Sequence, residues 1–428
     1  MLHRIILLIT GSFLASATRA QTNADTIANI IRNHIYRLTT PSMMGRGYVG
    51  NGQKKASEYI SSHFTNLGLT SVAAIADMQQ YYSFPVNTFP SKMSVTINGK
   101  QLLPGQDYLV GAASTTYNNR KRIAIKNLAS VTTPQQWRYT KATFSDTCIW
   151  LLLHTDSMCQ NTGIPSHQLP SLLPSGCYIL PQKNKLMWTV ADHTTAATVV
   201  YITDTSLPAL PTVASVDISA KLNKKYTATN IVACIPGTLP DSFIVFSAHY
   251  DHLGKMGSNT FFPGASDNAS GTAMILYLAQ YYAAHPQRYT MVFIAFSGEE
   301  AGLLGSAHFV QNPPFPLAGI KLLCNLDIMG DATDGVTVVN ATLHPKEFEL
   351  LTSLNNQHQY LPIIKSRGKA ANSDHYYFSE AGVPAFFLYS NGGEGYYHDI
   401  YDKAEAVTLQ NIPGVANLLI NFTTEIQK

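Results

Sequence analysis

Five separate stretches of this sequence end or begin in side chains of the types that hold metal ions. SFIVFSA runs into His249-Tyr250-Asp251-His252, and TMVFIAF runs into Ser297-Gly298-Glu299-Glu300. IKLLCNL ends at Asp327, the loop after VPAFFLY carries Tyr397-His398-Asp399, and Asp267-Asn268 opens a helical stretch. Singly, each has an ordinary explanation. A histidine at a strand end is commonly a satisfied polar group, Asp267 an N-cap, and Glu299 and Glu300 carboxylates that complement a helix dipole. Those explanations do not account for their convergence. Carboxylates gathered at one place repel and raise each other's pKa unless cations neutralise them. Imidazoles mixed with carboxylates suit zinc better than calcium or magnesium, which take all-oxygen shells.

The elements around these residues decide whether they meet. NIVACIP and SFIVFSA read as two strands joined by a short PGTLPD turn, a hairpin. Helices follow over about 269–284, 300–310, 345–357 and 409–426, interleaved with the strands TMVFIAF, IKLLCNLD and VPAFFLY. This alternation predicts an α/β fold, a mixed and mostly parallel sheet with helices on both faces. Ligands of such sheets bind beyond the carboxyl ends of the strands, where the residues above stand. Upstream, 24–38 and about 54–67 carry helical spacing. From about 84 to 225 short alternating segments (MSVTING, KRIAIKN, TCIWLLL, TVVYIT) lie between Pro, Gly, Asn, Ser and Thr clusters, which predicts a β-rich insertion with few helices. The expected division is a leader over 1–20, a catalytic domain from 21–84 and 226–428, and an accessory insertion over 85–225.

Six motifs resemble the co-catalytic di-zinc aminopeptidases with an α/β/α sheet, a zinc-exopeptidase family whose relatives include carboxypeptidase-type members and glutaminyl cyclases. They are SAHYDHLG (247–254), PGASDNASG (263–271), FSGEEAGLLGS (296–306), NLDIMG (325–330), SDHYYF (373–378) and YHDIYD (397–402), and they occur in the family's order. GRG at 45–47 and the helix after it resemble the family's amino-terminal segment. The resemblance implies two zinc ions per chain: one on His249 and Asp327, one on Glu300 and His398, with Asp267 bridging both. It implies Glu299 as general base toward a bridging water activated by the metals, and a cis peptide between Asp267 and Asn268. Asp251 is placed with the catalytic residues as the group that orients His249, and Asp402 is expected to do the same for His398. His375 and Tyr376 are candidate substrate-binding residues, with packing on a helix surface as the alternative. One departure stands out: many relatives have Thr-Pro after the final histidine, where this chain has Asp399-Ile400, and Asp399 is expected in a solvated loop or as a hydrogen-bond acceptor.

Composition bounds the rest. The 428 residues are 45% hydrophobic and 13% charged, which excludes a disordered or collagen-like chain. With 29 Lys+Arg against 26 Asp+Glu and no basic block, nothing points to nucleic-acid binding. Residues 1–20 have a positive start, an apolar middle too short to cross a bilayer, and Thr18-Arg19-Ala20 at the end, which predicts a signal peptide cut after Ala20. The mature chain is therefore expected in a periplasm or outside the cell, with no stable membrane insertion. In that oxidising setting Cys148, Cys159 and Cys177 are expected to supply one disulfide, while Cys234 and Cys324 lie in strand-like runs as buried thiols.

The expected activity is hydrolysis of amino-terminal peptide bonds, the partners being peptides with a free amino terminus. Two other readings stand beside it: glutaminyl cyclisation on a single-zinc version of the scaffold, and a non-catalytic peptide-binding module. Attack from the carboxyl terminus would need basic groups that the sequence does not single out. The GxGxxG pattern at 45–50 follows a helix rather than a strand, so it does not read as a dinucleotide site. Oligomeric state and side-chain preference are not legible.

Overall fold

The computed structural model describes residues 24–72 and 74–428, and the expected leader over 1–20 lies outside them. Among the described residues the larger sheet runs in the order Thr70–Ser71, Lys221–Ile235, Tyr289–Phe296, Leu239–His249, Ile320–Leu326, Ala385–Ser390, Val336–Val339 and Ile364–Ser366, with Gln79–Thr88 also paired to Lys221–Ile235. The four strands from Tyr289–Phe296 to Ala385–Ser390 are parallel, and antiparallel pairings flank them. The result is the mixed α/β sheet expected.

Alternation along the strands sorts the side chains onto two faces. Ile244, Phe246 and Ala248 pack with Phe293, Cys324 and Leu388 against the helices over 24–38, Gly52–Asn66, Gly271–Ala283, Pro345–His358 and Ile412–Ile426. Val245, Val292, Ile294 and Leu323 face the other way, against Phe309 and Phe378 from the short helices Leu304–Gln311 and His375–Glu380. Both faces of the central strands are thus dry, which is why they read as nearly continuous apolar runs.

Several expectations are corrected. NIVACIP and SFIVFSA do not form a hairpin, because Tyr289–Phe296 lies between them, antiparallel to the first and parallel to the second. Every residue of that strand after Tyr289 is buried, so it needs neighbours along both edges. The helix expected from Glu300 begins at Leu304, and the residues before it form a turn.

The insertion is more helical than expected. Its sheet runs Lys100–Leu102, Ser94–Ile97, Val213–Ile218, Tyr117–Asn127, Ile149–Leu151, Gly176–Gln182, Ala197–Thr203, Tyr108–Val110. The four strands from Tyr117–Asn127 to Ala197–Thr203 are parallel, and parallel neighbours require crossovers, which here carry the helices Pro134–Ala142 and Thr155–Thr162. Gln79–Thr88 and Lys221–Ile235 pair antiparallel as a stem into this unit, and the boundaries expected after 84 and 225 fall within those strands. The expected disulfide is absent: all five cysteines are free and buried. Cys177 packs on one side of the small sheet, Cys148 and Cys159 on the other.

Candidate metal centre

Parallel register brings the distant segments together. Ser247 pairs with Asn325, so two residues further on His249 stands level with Asp327. His249 pairs with Phe296, which sets Ser297 to Glu300 immediately beyond the same edge. Asp267 lies on the turn 265–270 that leads into the helix Gly271–Ala283, and the Asp267–Asn268 peptide is cis, as the resemblance implies. His398 arrives on the loop after Ala385–Ser390.

The donor atoms fall into two groups that share one residue. His249 Nε2 lies 3.2 Å from Asp327 Oδ1 and 3.4 Å from Asp267 Oδ1. His398 Nε2 lies 3.2 Å from both Glu300 Oε2 and the other Asp267 oxygen, Oδ2. Glu299 Oε2 stands 3.9 Å from His249 Nε2, and its side chain keeps 15% of its surface exposed. Two ligands at about 2.0–2.1 Å from one tetrahedral zinc are themselves about 3.3 Å apart, so the spacing and the N/O donor set both suit zinc. His249, Asp267, Glu300, Asp327 and His398 are brought together, with Glu299 at the rim.

Both histidines have fixed tautomers. His249 Nδ1 faces the carbonyl oxygen of Asp251 at 3.2 Å, and His398 Nδ1 faces the carbonyl oxygen of Trp188 at 3.0 Å. A carbonyl only accepts, so each Nδ1 carries a hydrogen, and it is Nε2 whose lone pair would face a cation once the cation displaces the proton there.

Asp251 acts through its surroundings. Its carboxylate accepts from Tyr48 Oη at 2.5 Å and from the backbone N–H groups of Glu299 and Glu300 at 3.3 and 3.4 Å, while its side chain is 3.8 Å from His249 Nδ1. It holds the Glu299–Glu300 turn and leaves the orientation of His249 to its own carbonyl. Asp402, expected beside His398, instead accepts from the backbone N–H groups of Ser266 and Asp267 at 2.8 and 3.0 Å. The chain turns back after His398, so that carboxylate braces the Asp267 segment. His375 is fully buried against Phe387, 5.3 Å between ring centroids, which leaves it no surface for substrate. Tyr376 is half-buried on the same short helix. Asp399 is a buried acceptor for the N–H groups of Tyr401 and Asp402 and pairs with Lys185 at 2.7 Å.

Other participants went unassigned in the sequence although they lie inside the quoted motifs. His252 Nδ1 is 2.6 Å from Glu300 Oε1, leaving Oε2 for the centre. Ser373 donates to Asp327 Oδ2 at 2.7 Å and accepts from Asn325, which in turn accepts from Ser247. Asp374, buried beside them, accepts from Ser306 at 2.5 Å. Their place inside the quoted motifs, beside the expected ligands, is the signal that could have found them.

The electrostatics reflect a crowd of carboxylates. Burial, with the charges of Glu300, Asp327 and Asp374, raises the Glu299 carboxyl well above its ordinary range, against the pull of His249. Burial raises Asp374 to about 7. Burial also works on Glu300, but His252 and His398 outweigh it and hold that carboxyl well below its ordinary value. On His398 the desolvation that would lower it is overcome by hydrogen bonds to Asp267 and Glu300, and it rises to about 11. A cation placed between these groups would replace the protons that the imidazoles otherwise retain.

The GRGYVG segment has a structural explanation. Arg46 is fully buried and donates to the carbonyl oxygens of Leu38, Tyr250, Pro263 and Gly264 at 2.7–3.1 Å. It fastens the loops that carry His249 and Asp267. A Cβ on Gly47 would lie 2.4 Å from the Cα of Gly254, so only glycine permits that approach.

Two cavities lie nearby. One of about 240 Å³ is flanked by Ser266, Ile328 and Tyr397, each next to an expected ligand. A larger one of about 500 Å³, lined by Tyr36, Pro104, Phe261 and Ile400 among others, holds none of the donor atoms.

Comparison with known proteins places this geometry. Residues 230–423 match the family model of Peptidase family M28. The chain is 38% identical over 117 residues to a "Probable zinc metalloprotease" of Pyrenophora tritici-repentis, covering 26% of each. It is 29% identical over 212 residues to an aminopeptidase of Bacillus subtilis, covering 47% of this chain and 45% of that one. The chain thus spans from about a quarter to under half the length of these curated relatives. Among solved structures, a zinc aminopeptidase from Bacillus subtilis aligns over 94% of this chain and 95% of its own with a TM-score of 0.66 at 20% identity. An aminopeptidase from Aneurinibacillus sp. strain AM-1 aligns over 94% of both chains with a TM-score of 0.61 at 18% identity. The shared fold therefore extends through the insertion.

Proposed function

We propose, from the premise that residues 230–423 form a Peptidase family M28 unit, that the chain is an exported, zinc-dependent aminopeptidase holding two zinc ions. The single observation that carries the reading is the division of Asp267, whose Oδ1 faces His249 and whose Oδ2 faces His398. His249 and Asp327 would hold one ion, Glu300 and His398 the other, and Asp267 both. Zinc bound there would supply Lewis acidity toward the scissile carbonyl and make a water held by it a stronger acid.

The chain's own groups do the rest. Glu299, at the rim with an exposed edge, takes a proton from the attacking water at its carboxylate and returns it to the departing amine. The Glu299–Glu300 turn is held by Asp251, and that carboxylate by Tyr48, so the base is kept at a fixed distance from the ligands. The recess beside Ile328 and Tyr397 offers space for the first side chain of the substrate. The direction of attack rests chiefly on the resemblance, and charge is compatible with it. Of the cations reaching the surrounding loops, Arg46 is spent on backbone carbonyls and Lys185 on Asp399, whereas the carboxylates suit a free α-amine. The leader ending at Ala20 supports delivery to a periplasm or beyond.

The test is a panel of amino-acid amides and carboxyl-terminally exposed dipeptides, assayed on the mature chain before and after chelation and zinc return. Zinc-dependent cleavage of the amides supports the reading. Cyclisation of amino-terminal glutamine without amide hydrolysis would replace it.

A further inference from the structure

We infer that the inserted unit is part of the second metal site: its strap Lys185–Trp188 sets the orientation of His398. The strap belongs to the connection between the insertion's neighbouring parallel strands Gly176–Gln182 and Ala197–Thr203. It holds His398 from both sides of the peptide, since Trp188 O accepts from the imidazole Nδ1 at 3.0 Å and Trp188 N donates to His398 O at 2.9 Å. The next residue, Asp399, is tied to Lys185 at 2.7 Å, and Lys185 also donates to Gly395 O at 3.0 Å. Among the described residues, the hydrogen bond to His398 Nδ1, which leaves Nε2 facing Asp267 and Glu300, therefore comes from the insertion.

The strap is itself anchored. Trp188 stacks on Phe262 with 4.8 Å between ring centroids, and its indole N–H donates to Val110 O at 2.8 Å. Phe262 lies five residues before Asp267, so one indole packs against the segment leading to the shared ligand while its backbone holds the terminal one. His249 has no such dependence, because its Nδ1 partner is Asp251 in its own segment. Asp399 is buried, and Lys185 supplies its counter-charge. The pair is a second fastening between the strap and the loop that carries His398.

The inference rests on the two-zinc reading, and the experiment separates them. The mature chain is compared with Lys185→Ala, Lys185→Arg and Trp188→Ala by zinc competition against a chromophoric chelator, which reads each zinc apart from turnover. Removing a cation near the metals would by charge alone tighten zinc, so weakening reports lost positioning. Expected is a weakening of one zinc by about 10–100-fold in Lys185→Ala and Trp188→Ala, with the other unchanged and with Lys185→Arg near the parent. Should Trp188→Ala fail to fold, Lys185→Ala, whose side chain is 39% exposed, still decides. Two zinc ions held as tightly in Lys185→Ala as in the parent, or both weakened alike, would overturn the inference. A parent chain that binds no zinc instead removes the underlying reading, and that is seen without any variant.

Discussion

The hydroxyl of Tyr48 lies 2.5 Å from Asp251 Oδ2 across 203 positions of sequence, both residues being buried. Asp251 in turn accepts from the backbone of Glu299 and Glu300, so the tyrosine helps set the turn that carries the proposed base and one proposed ligand. Tyr48→Phe deletes the donor and leaves the carboxylate short of a partner. The expected cost is about 1–3 kcal/mol of stability, read by urea unfolding, with kcat falling more than KM changes. An unchanged kcat would mean that the turn keeps its place without this bond.

Glu299→Gln keeps the shape of the rim residue and removes its basicity. Zinc content, measured by elemental analysis, is expected to equal that of the parent, while kcat falls about 10²–10⁴-fold. Near-normal turnover would remove Glu299 as the base.

Arg46→Met leaves four carbonyl oxygens without their donor, three of them buried. Such losses cost about 1–3 kcal/mol per buried group when uncompensated, so the variant is expected to lose at least several degrees of Tm. A variant melting with the parent would show that water replaces the guanidinium without penalty.

Acid sensitivity is expected from a residue remote from the metals. Burial, together with neighbouring His63, pushes His34 down to about 4, and its Nδ1 is 2.7 Å from Tyr59 Oη. The unfolded histidine takes a proton near 6.5, so the unfolded state binds more protons between about 4 and 6.5 and stability falls as pH drops through that window. The loss is about 3 kcal/mol, complete below about 4. Urea unfolding from pH 4 to 8 is expected to show this dependence in the parent and a flatter one in His34→Leu. Equal slopes in both would contradict it.

The edge that carries the expected ligands was partly legible because His249 and Asp327 directly follow apolar runs, Glu300 comes shortly after another and Asp267 opens a helix, and parallel strands of a buried sheet point their ends the same way; His398, on a loop well past Ser390, rested on the resemblance. Asp402 was misplaced because nearness in sequence to His398 stood in for nearness in space, and the turn between them aims its carboxylate at the N–H groups of Ser266 and Asp267. In SDHYYF the ring side chains drew attention, but it is Ser373 that touches Asp327 while His375 faces the core. Trp188 had no signal at all. It acts on His398 through a carbonyl and an N–H, which every residue except proline possesses, from 210 positions away. The hairpin expected at Asn230 failed for a related reason: a short turn favours adjacency but does not forbid a later strand from entering between its arms.

The central claim is that Asp267 shares itself between two zinc ions. Anomalous diffraction at the zinc edge from crystals of the mature chain tests it directly. Expected are two peaks, one within bonding distance of His249 and Asp327, the other of Glu300 and His398, with a different Asp267 oxygen on each. A single peak, or two that do not both touch Asp267, would contradict it.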